Sequence, residues 1–265
     1  AFVDVVEKVR AKLGIEHILR TPDLGTRRRH IRKNIDAFLA SPHLGMVPLF
    51  MAGDKDFYHY GRKLRKELHL PLNVFCTGHE EERLHFKTGF CGVDDRDQHN
   101  VRLYDFSSLN KLKLALFYSG QYLKNPRYLN ESFFYGLRSF FYSFLQKDDF
   151  LYLYQYIRWD EQEIERVLAQ ELGWRPDGRY GRNQWRMGDG QTAFTNYIYH
   201  TVAGFSEFDN FRANQVRAGL LMREEALRLA AEDNLPKWDV LKEFAMTVGF
   251  CLEDVLKKIN QIAKL

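Results

Sequence analysis

Apolar positions along the first hundred residues switch between two periods. Phe2, Val5, Val6, Val9 and Leu13 recur at helical spacing, and Gly14 follows them as a C-terminal cap would. The stretch "IEHILR" (15–20) has strand length. Between Arg27 and Leu39, Ile31, Ile35, Phe38 and Leu39 share one helical face, while Arg27, Arg28, Arg29, Arg32 and Lys33 make the other strongly basic. Met46 to Ala52 is a continuous apolar run, which predicts a strand buried on both faces. It ends in Gly53, Asp54 and Lys55, and a helix follows with Phe57, Tyr60, Leu64 and Leu68 in register. Beyond Pro71, "LNVFC" predicts a second buried strand leading into "TGHEEERLHFKTGFCGV". Helix and strand in alternation predict an α/β fold with a parallel, doubly wound sheet, in which ligands bind at the carboxyl ends of the strands.

From about Ser107 to Gln146 the pattern turns helical and aromatic, as an insertion or lid would. "FLYLYQYI" (Phe150 to Ile157) is rich in β-favouring residues and returns the chain to the sheet. Asp160 then caps a helix, with Glu163 as its capping-box partner, and that helix stops at Gly173. "RPDGRYGRNQWRMGDG" is the clearest loop, and helices fill Met222 to Glu232, Pro236 to Val248 and Leu252 to Leu265. The predicted organisation is a partial α/β domain over 1–105, a helical insertion over 106–149, a return strand and helix over 150–175, and a loop with a helical C-terminal region over 176–265.

Composition narrows the classes. The chain has 265 residues, 45% hydrophobic and 15% aromatic, with a net charge of +4, which favours anionic ligands such as phosphates without requiring nucleic acid. Three cysteines imply no disulfide framework and fit a reducing, cytoplasmic setting. No signal peptide or spanning stretch is visible, so no membrane partner is expected. Ala1 lies inside an amphipathic pattern, as in a chain cut from a longer one.

Chemistry-bearing residues gather in three places. Glycines stand beside charged residues at both predicted strand ends: Gly53 with Asp54 and Lys55, then Gly78 with His79, Glu82 and Lys87. Asp54 also suits a helix cap, and Lys87 also suits a solvated surface. Cys76, His79 and Cys91 have a partial zinc-like spacing, but Cys76 falls in an apolar strand, which favours buried free thiols. The third place is Gly188 to Gly219, where Asp189, Asn196, His200, Asp209, Arg212, Asn214, Gln215 and Arg217 are interleaved with seven large apolar side chains. Those polar groups either line a cleft or satisfy one another in a rigid connector.

Four stretches, "PLFMAGDK", "TGHEEERLHFKTGF", "YIRWDEQEIERVLAQELGW" and "WRMGDGQTAFTNYIYHTVAGFSEFDNFRANQVRAGLLMREEAL", are similar to the PP-loop ATP-pyrophosphatase superfamily. Within it, the chain resembles the N-acetyl sugar amidotransferase-like group of surface polysaccharide and lipopolysaccharide biosynthesis. The resemblance runs over most of the chain from residue 45 onward and implies a partial Rossmann-like (HUP) domain. The superfamily's Ser-Gly-Gly-x-Asp-Ser phosphate loop does not occur in these 265 residues, so it lies upstream of Ala1 or is lost. The chemistry implied is adenylation of a sugar acetamido oxygen by ATP with release of pyrophosphate, then displacement of AMP by ammonia to form an amidine. On the resemblance, Asp54 and Glu82 hold Mg²⁺, Lys55 and Lys87 neutralise phosphate, and Gly53, Gly78 and His79 contact the nucleotide. Asp189, Asn196, Arg212 and Gln215 then face an N-acetyl sugar nucleotide.

The partners implied are a glutaminase subunit supplying ammonia and a second copy packed on the helical tail. Two alternatives remain open: a tRNA-modifying PP-loop ATPase, motivated by the basic helix at 27–33, and a loop-less binding or scaffold relative. Nucleic acid is the less favoured partner, because no Cys-x-x-Cys pair occurs.

Overall fold

The computed structural model describes residues 2–51, 55–76, 86–93, 106–146, 150–174 and 190–265. Helix α1 covers Phe2–Leu13, with Gly14 at φ +63 where the chain turns away. Helix α2 covers Leu24–Ala40, with Asp23 as N-cap accepting from the Thr26 N–H. Helix α3 is Asp56–Glu67, strand β1 is Val74–Phe75 and helix α4 is Phe86–Gly89. Helices α5 (Ser108–Lys124) and α6 (Phe133–Phe140) follow, and α6 continues into a π-turn at Phe141–Leu145. Strand β2 is Leu151–Tyr152, and helix α7 (Glu161–Arg166) continues into a second π-turn at Val167–Glu171. The C-terminal helices are α8 (Gly190–Ala203), α9 (Glu207–Arg217), α10 (Arg223–Asp233), α11 (Trp238–Val248) and α12 (Leu252–Asn260).

Helix dominates, and the described residues contain one two-stranded parallel sheet, with Val74 opposite Leu151 and Phe75 opposite Tyr152. The strands expected at "LNVFC" and "FLYLYQYI" therefore pair, each shortened to two residues, but the first is not the buried strand expected, because Val74 is exposed. Tyr58, Phe75, Phe150 and Tyr152 pack around them. Two other expectations fail. Residues 15–20 form no strand. The apolar run at 46–52 is a 3₁₀ helix over Leu44–Met51. Pro48 sits in its middle and has no N–H to give a sheet ladder. A three-residue turn suits the run better, because Leu44, Val47 and Phe50 then share a face buried against α2.

The main core joins distant parts of the chain. Ile35 and Phe38 of α2, Met46 and Phe50 of the 3₁₀ helix, Phe194, Ile198 and Tyr199 of α8, Leu241 of α11 and Ile259 of α12 form one apolar cluster. Helix α8 lies at its centre and packs on α11 and α12, and α2 packs on the same two helices. Phe194 meets Phe244 and Phe250 at ring distances of 5.4 and 5.5 Å. Two polar side chains inside this core bond backbone carbonyls of neighbouring segments. The Asn34 amide donates to the Leu49 carbonyl (2.8 Å), and the Asn125 amide donates to the Ala37 carbonyl (2.7 Å). These bonds fasten the 3₁₀ helix and the α5–α6 connection to α2.

No helix among the described residues is long and apolar enough to cross a membrane.

The start of α8 is set by packing. A Cβ at Gly190 would lie 2.6 Å from Phe244 Cβ and 3.3 Å from the Val240 carbonyl oxygen on α11. Alanine favours a helix over glycine by about 1 kcal/mol, yet Gly190→Ala should destabilise the protein by about 1–3 kcal/mol, because α8 and α11 must separate. Denaturant unfolding checks this; a stabilised variant would show that the two helices do not meet as described.

Candidate functional site

The "FKTGF" stretch (86–90) and the 190–217 stretch meet although they lie far apart in the chain. Phe86, which opens α4, and Phe90, just after it, pack on Tyr199 at ring distances of 5.0 and 5.8 Å, and both also contact Phe205. Between them Lys87 forms an ion pair with Glu207, the first residue of α9. Both side chains are half-buried, so the pair is shielded on one side and open to solvent on the other. Asn196 holds the same carboxylate from α8: its Nδ2 donates to Glu207 Oε2 (3.2 Å) and to the Thr192 carbonyl (3.0 Å). Its Oδ1 accepts from the Glu207 N–H (2.9 Å). One carboxylate thus joins a cation on α4 to an amide on α8.

Arg212 and Gln215, one turn apart on α9, face a different cluster. Arg212 is 3% exposed. Its guanidinium donates to Asp233 Oδ2 (3.0 Å), Glu161 Oε2 (2.7 Å) and Gln215 Oε1 (2.7 Å), and Gln215 Nε2 donates to Glu161 Oε2 (2.9 Å). The guanidinium also lies over the Phe211 ring at 5.0 Å, and Trp159 meets that ring edge-on. These bonds tie α7, α9 and α10 together. A third group closes the α8–α9 turn. Ser206 and Asp209 form a capping box, and the Asn234 amide donates to Asp209 Oδ2 (2.8 Å).

The side chains of Asn196, Arg212 and Gln215 are all buried and hydrogen-bonded within the protein. Asn196 and His200 are four residues apart on α8, yet Asn196 is buried and His200 exposed. A shallow cleft beside Asn196, lined by Tyr197, Phe208, Asp233, Asn234 and Lys237, has room for about one water molecule. Lys55 precedes α3, with its ammonium 5.5 Å from the Phe57 ring centre. The neighbouring Asp56 is buried and takes both Nε (3.1 Å) and Nη2 (2.6 Å) of Arg138. Gly53, Asp54, Gly78, His79, Glu82 and Asp189 lie outside the described residues.

Of the thiols, Cys91 is buried and pushed up to about 12 by burial, so it is uncharged at neutral pH; Cys76 is exposed, contrary to the buried-thiol expectation. Burial likewise raises the Tyr199 phenol well above its ordinary value, and the Glu207 charge adds to the shift. Among the described residues no group of three or more His, Cys, Asp or Glu side chains could hold a metal ion. Glu207, Glu161 and Asp233 escape a sequence reading, because each looks like an ordinary first- or last-turn helix acid. The one local signal is the Ser-x-x-Asp box at 206–209, which marks Glu207 as the opening residue of α9.

The chain matches no protein-family model, no curated protein and no solved structure.

Arg212→Met should cost about 3–5 kcal/mol of stability, because Glu161 and Asp233 then share a buried site without their cation. Denaturant unfolding of the variant reads this directly; a loss below about 1 kcal/mol would place the cluster among surface pairs.

Proposed function

We propose that the chain is part of an ATP-dependent amidotransferase that converts the acetamido group of an N-acetyl sugar nucleotide into an amidine, in the cytoplasm, for surface polysaccharide synthesis. The observation that carries the reading is the shared carboxylate of Glu207. The resemblance assigns Lys87 to phosphate and Asn196 to the sugar, and the two side chains meet on Glu207. An adenylation needs this closeness, since the acetamido oxygen must reach the α-phosphorus of ATP. The parallel pairing of β1 with β2 also supports it. In a Rossmann-like sheet a nucleotide binds at the carboxyl ends of the strands, and Lys87 follows β1 in the sequence.

In this reading the acetamido oxygen attacks the α-phosphorus, the bond to the β-phosphate oxygen breaks, and pyrophosphate leaves. Ammonia from a glutaminase partner then adds to the imidate carbon, AMP departs, and proton loss leaves the amidine. Lys87 carries the cationic charge that the leaving pyrophosphate requires. Glu207 and Asn196 hold that ammonium between α4 and α8. Phe86, Phe90, Tyr199 and Phe205 form the apolar wall that limits water at the same place. Asp54 and Glu82 would hold Mg²⁺, which would neutralise charge on the triphosphate, and Lys55, next to Asp54 in sequence, would add a cation. Gly53, Gly78 and His79 complete the nucleotide side, and Asp189, Arg212 and Gln215 shape the sugar side with Asn196, the last two through their hold on α9.

The test is an assay of the full natural chain with ATP, Mg²⁺, ammonium and a panel of N-acetylated sugar nucleotides. AMP and pyrophosphate should form in equal amounts only with a sugar present, and the product should be lighter than its substrate by about one mass unit, as NH replaces O. Lys87→Met should lower the rate by about 10²-fold or more while leaving the fold intact. ATP turnover that ignores every N-acetyl sugar would reject the reading.

A further inference from the structure

Helix α5 is apolar on two opposite sides. Its inner side, with Leu114, Phe117 and Tyr118, packs against Cys91, Phe140 and Phe144. Its outer side carries Leu109, Leu112, Leu116 and Leu123, which are 54 to 83% exposed. At about 100° per residue the four outer leucines fall within an arc of roughly 60°, opposite the packed side. Their spacing of three, four and seven residues is that of a coiled-coil seam, with Ser119 in the one slot that leucine does not fill. Beside it is Gly120, and a Cβ there would meet nothing within 4 Å. Leucine knobs therefore stand on either side of an open notch.

We infer that this seam is the contact between two copies of the chain, with α5 packed antiparallel on α5 of the second copy about a two-fold axis. The area fits. The four leucines leave on the order of 500 Å² of apolar surface in water, in the upper part of the range for the largest patch on a lone protein. About 65% of roughly 800 Å² per partner is the same apolar share, that of a standard interface with an apolar core. The shape fits as well, because a seam of period 3.5 needs a second seam to fill its holes, and a two-fold axis brings a leucine of one copy to the notch of the other. Charge sets the sign of the salt dependence. Lys111, Lys113 and Lys124 are the charged residues of α5, and the helix has no acid. Lys113 and Lys124 stand beside the seam, while Lys111 lies toward the packed side, so cations of one copy meet cations of the other and added salt tightens the pair. An anionic lipid surface or an acidic partner helix would show the opposite trend.

Analytical ultracentrifugation of the full natural chain at micromolar concentration, at low and at raised salt, tests the inference. The expected result is a mass of two protomers that becomes harder to dilute apart as salt rises. Leu116→Arg and Gly120→Arg should each weaken the pair about tenfold or more. Neither should lower the melting temperature of the dilute monomer, since Leu116 is exposed and Gly120 is a helical glycine facing open space. A single-protomer mass at every concentration, or a dimer that survives both variants, would overturn it. So would a monomer that binds vesicles of phosphatidylglycerol and releases them in salt, which would assign the seam to a lipid surface.

Discussion

A guanidinium that is almost wholly buried must have its charge answered where it sits, and much of the C-terminal half is arranged around that requirement. Arg212 comes from α9, and its partners come from α7, α9 and α10. A buried cation bonded to two carboxylates and an amide fixes the register of three helices at once, and a one-turn slip would strand every charge. The same logic recurs on a smaller scale. Asn34 and Asn125 answer backbone carbonyls around α2, and Asn234 answers the capping box that starts α9. Apolar packing brings α2, α8, α11 and α12 together, and these polar groups select one arrangement among the many that packing would tolerate.

That division explains how the candidate site is held. α4 is a single turn of four residues, too short to position a lysine alone. It is fixed by two phenylalanines against Tyr199 and Phe205 and by the pairing of Lys87 with Glu207. Glu207 in turn is held by Asn196, whose own place is set by a helix buried on most of its surface. The half-buried ion pair therefore rests on rigid elements and keeps one side open to water.

Much of the fold is legible in the sequence because helices announce themselves. The apolar spacing of α2 and α12, the Asp160 cap and the paired strand segments before α4 and after α6 are all where local pattern places them. The run at 46–52 is not, because continuous hydrophobicity reports burial and not backbone period; Pro48 is the residue that decides. The segment from Gly188 to Gly219 shows a deeper limit. Its polar residues are conspicuous, and hydrogen bonds among them are one of the two outcomes their pattern allows. Which acids answer them cannot be read locally, since Glu161 and Asp233 lie 51 and 21 residues from Arg212. Gly190 is similar: its small size suits a ligand or a neighbouring helix equally, and only Phe244 shows which packing it serves.

The central claim is that Lys87 and Asn196, joined through Glu207, work at one site. A double-mutant cycle on kcat/KM for the proposed amidotransferase reaction of the full natural chain, using Lys87→Met and Asn196→Ala, tests it most directly. If the two act through the shared carboxylate, the double variant should be impaired little more than the worse single one, a coupling of about 1 kcal/mol or more. Losses that simply add would mean that the two residues serve separate places, and the site proposed here would not exist.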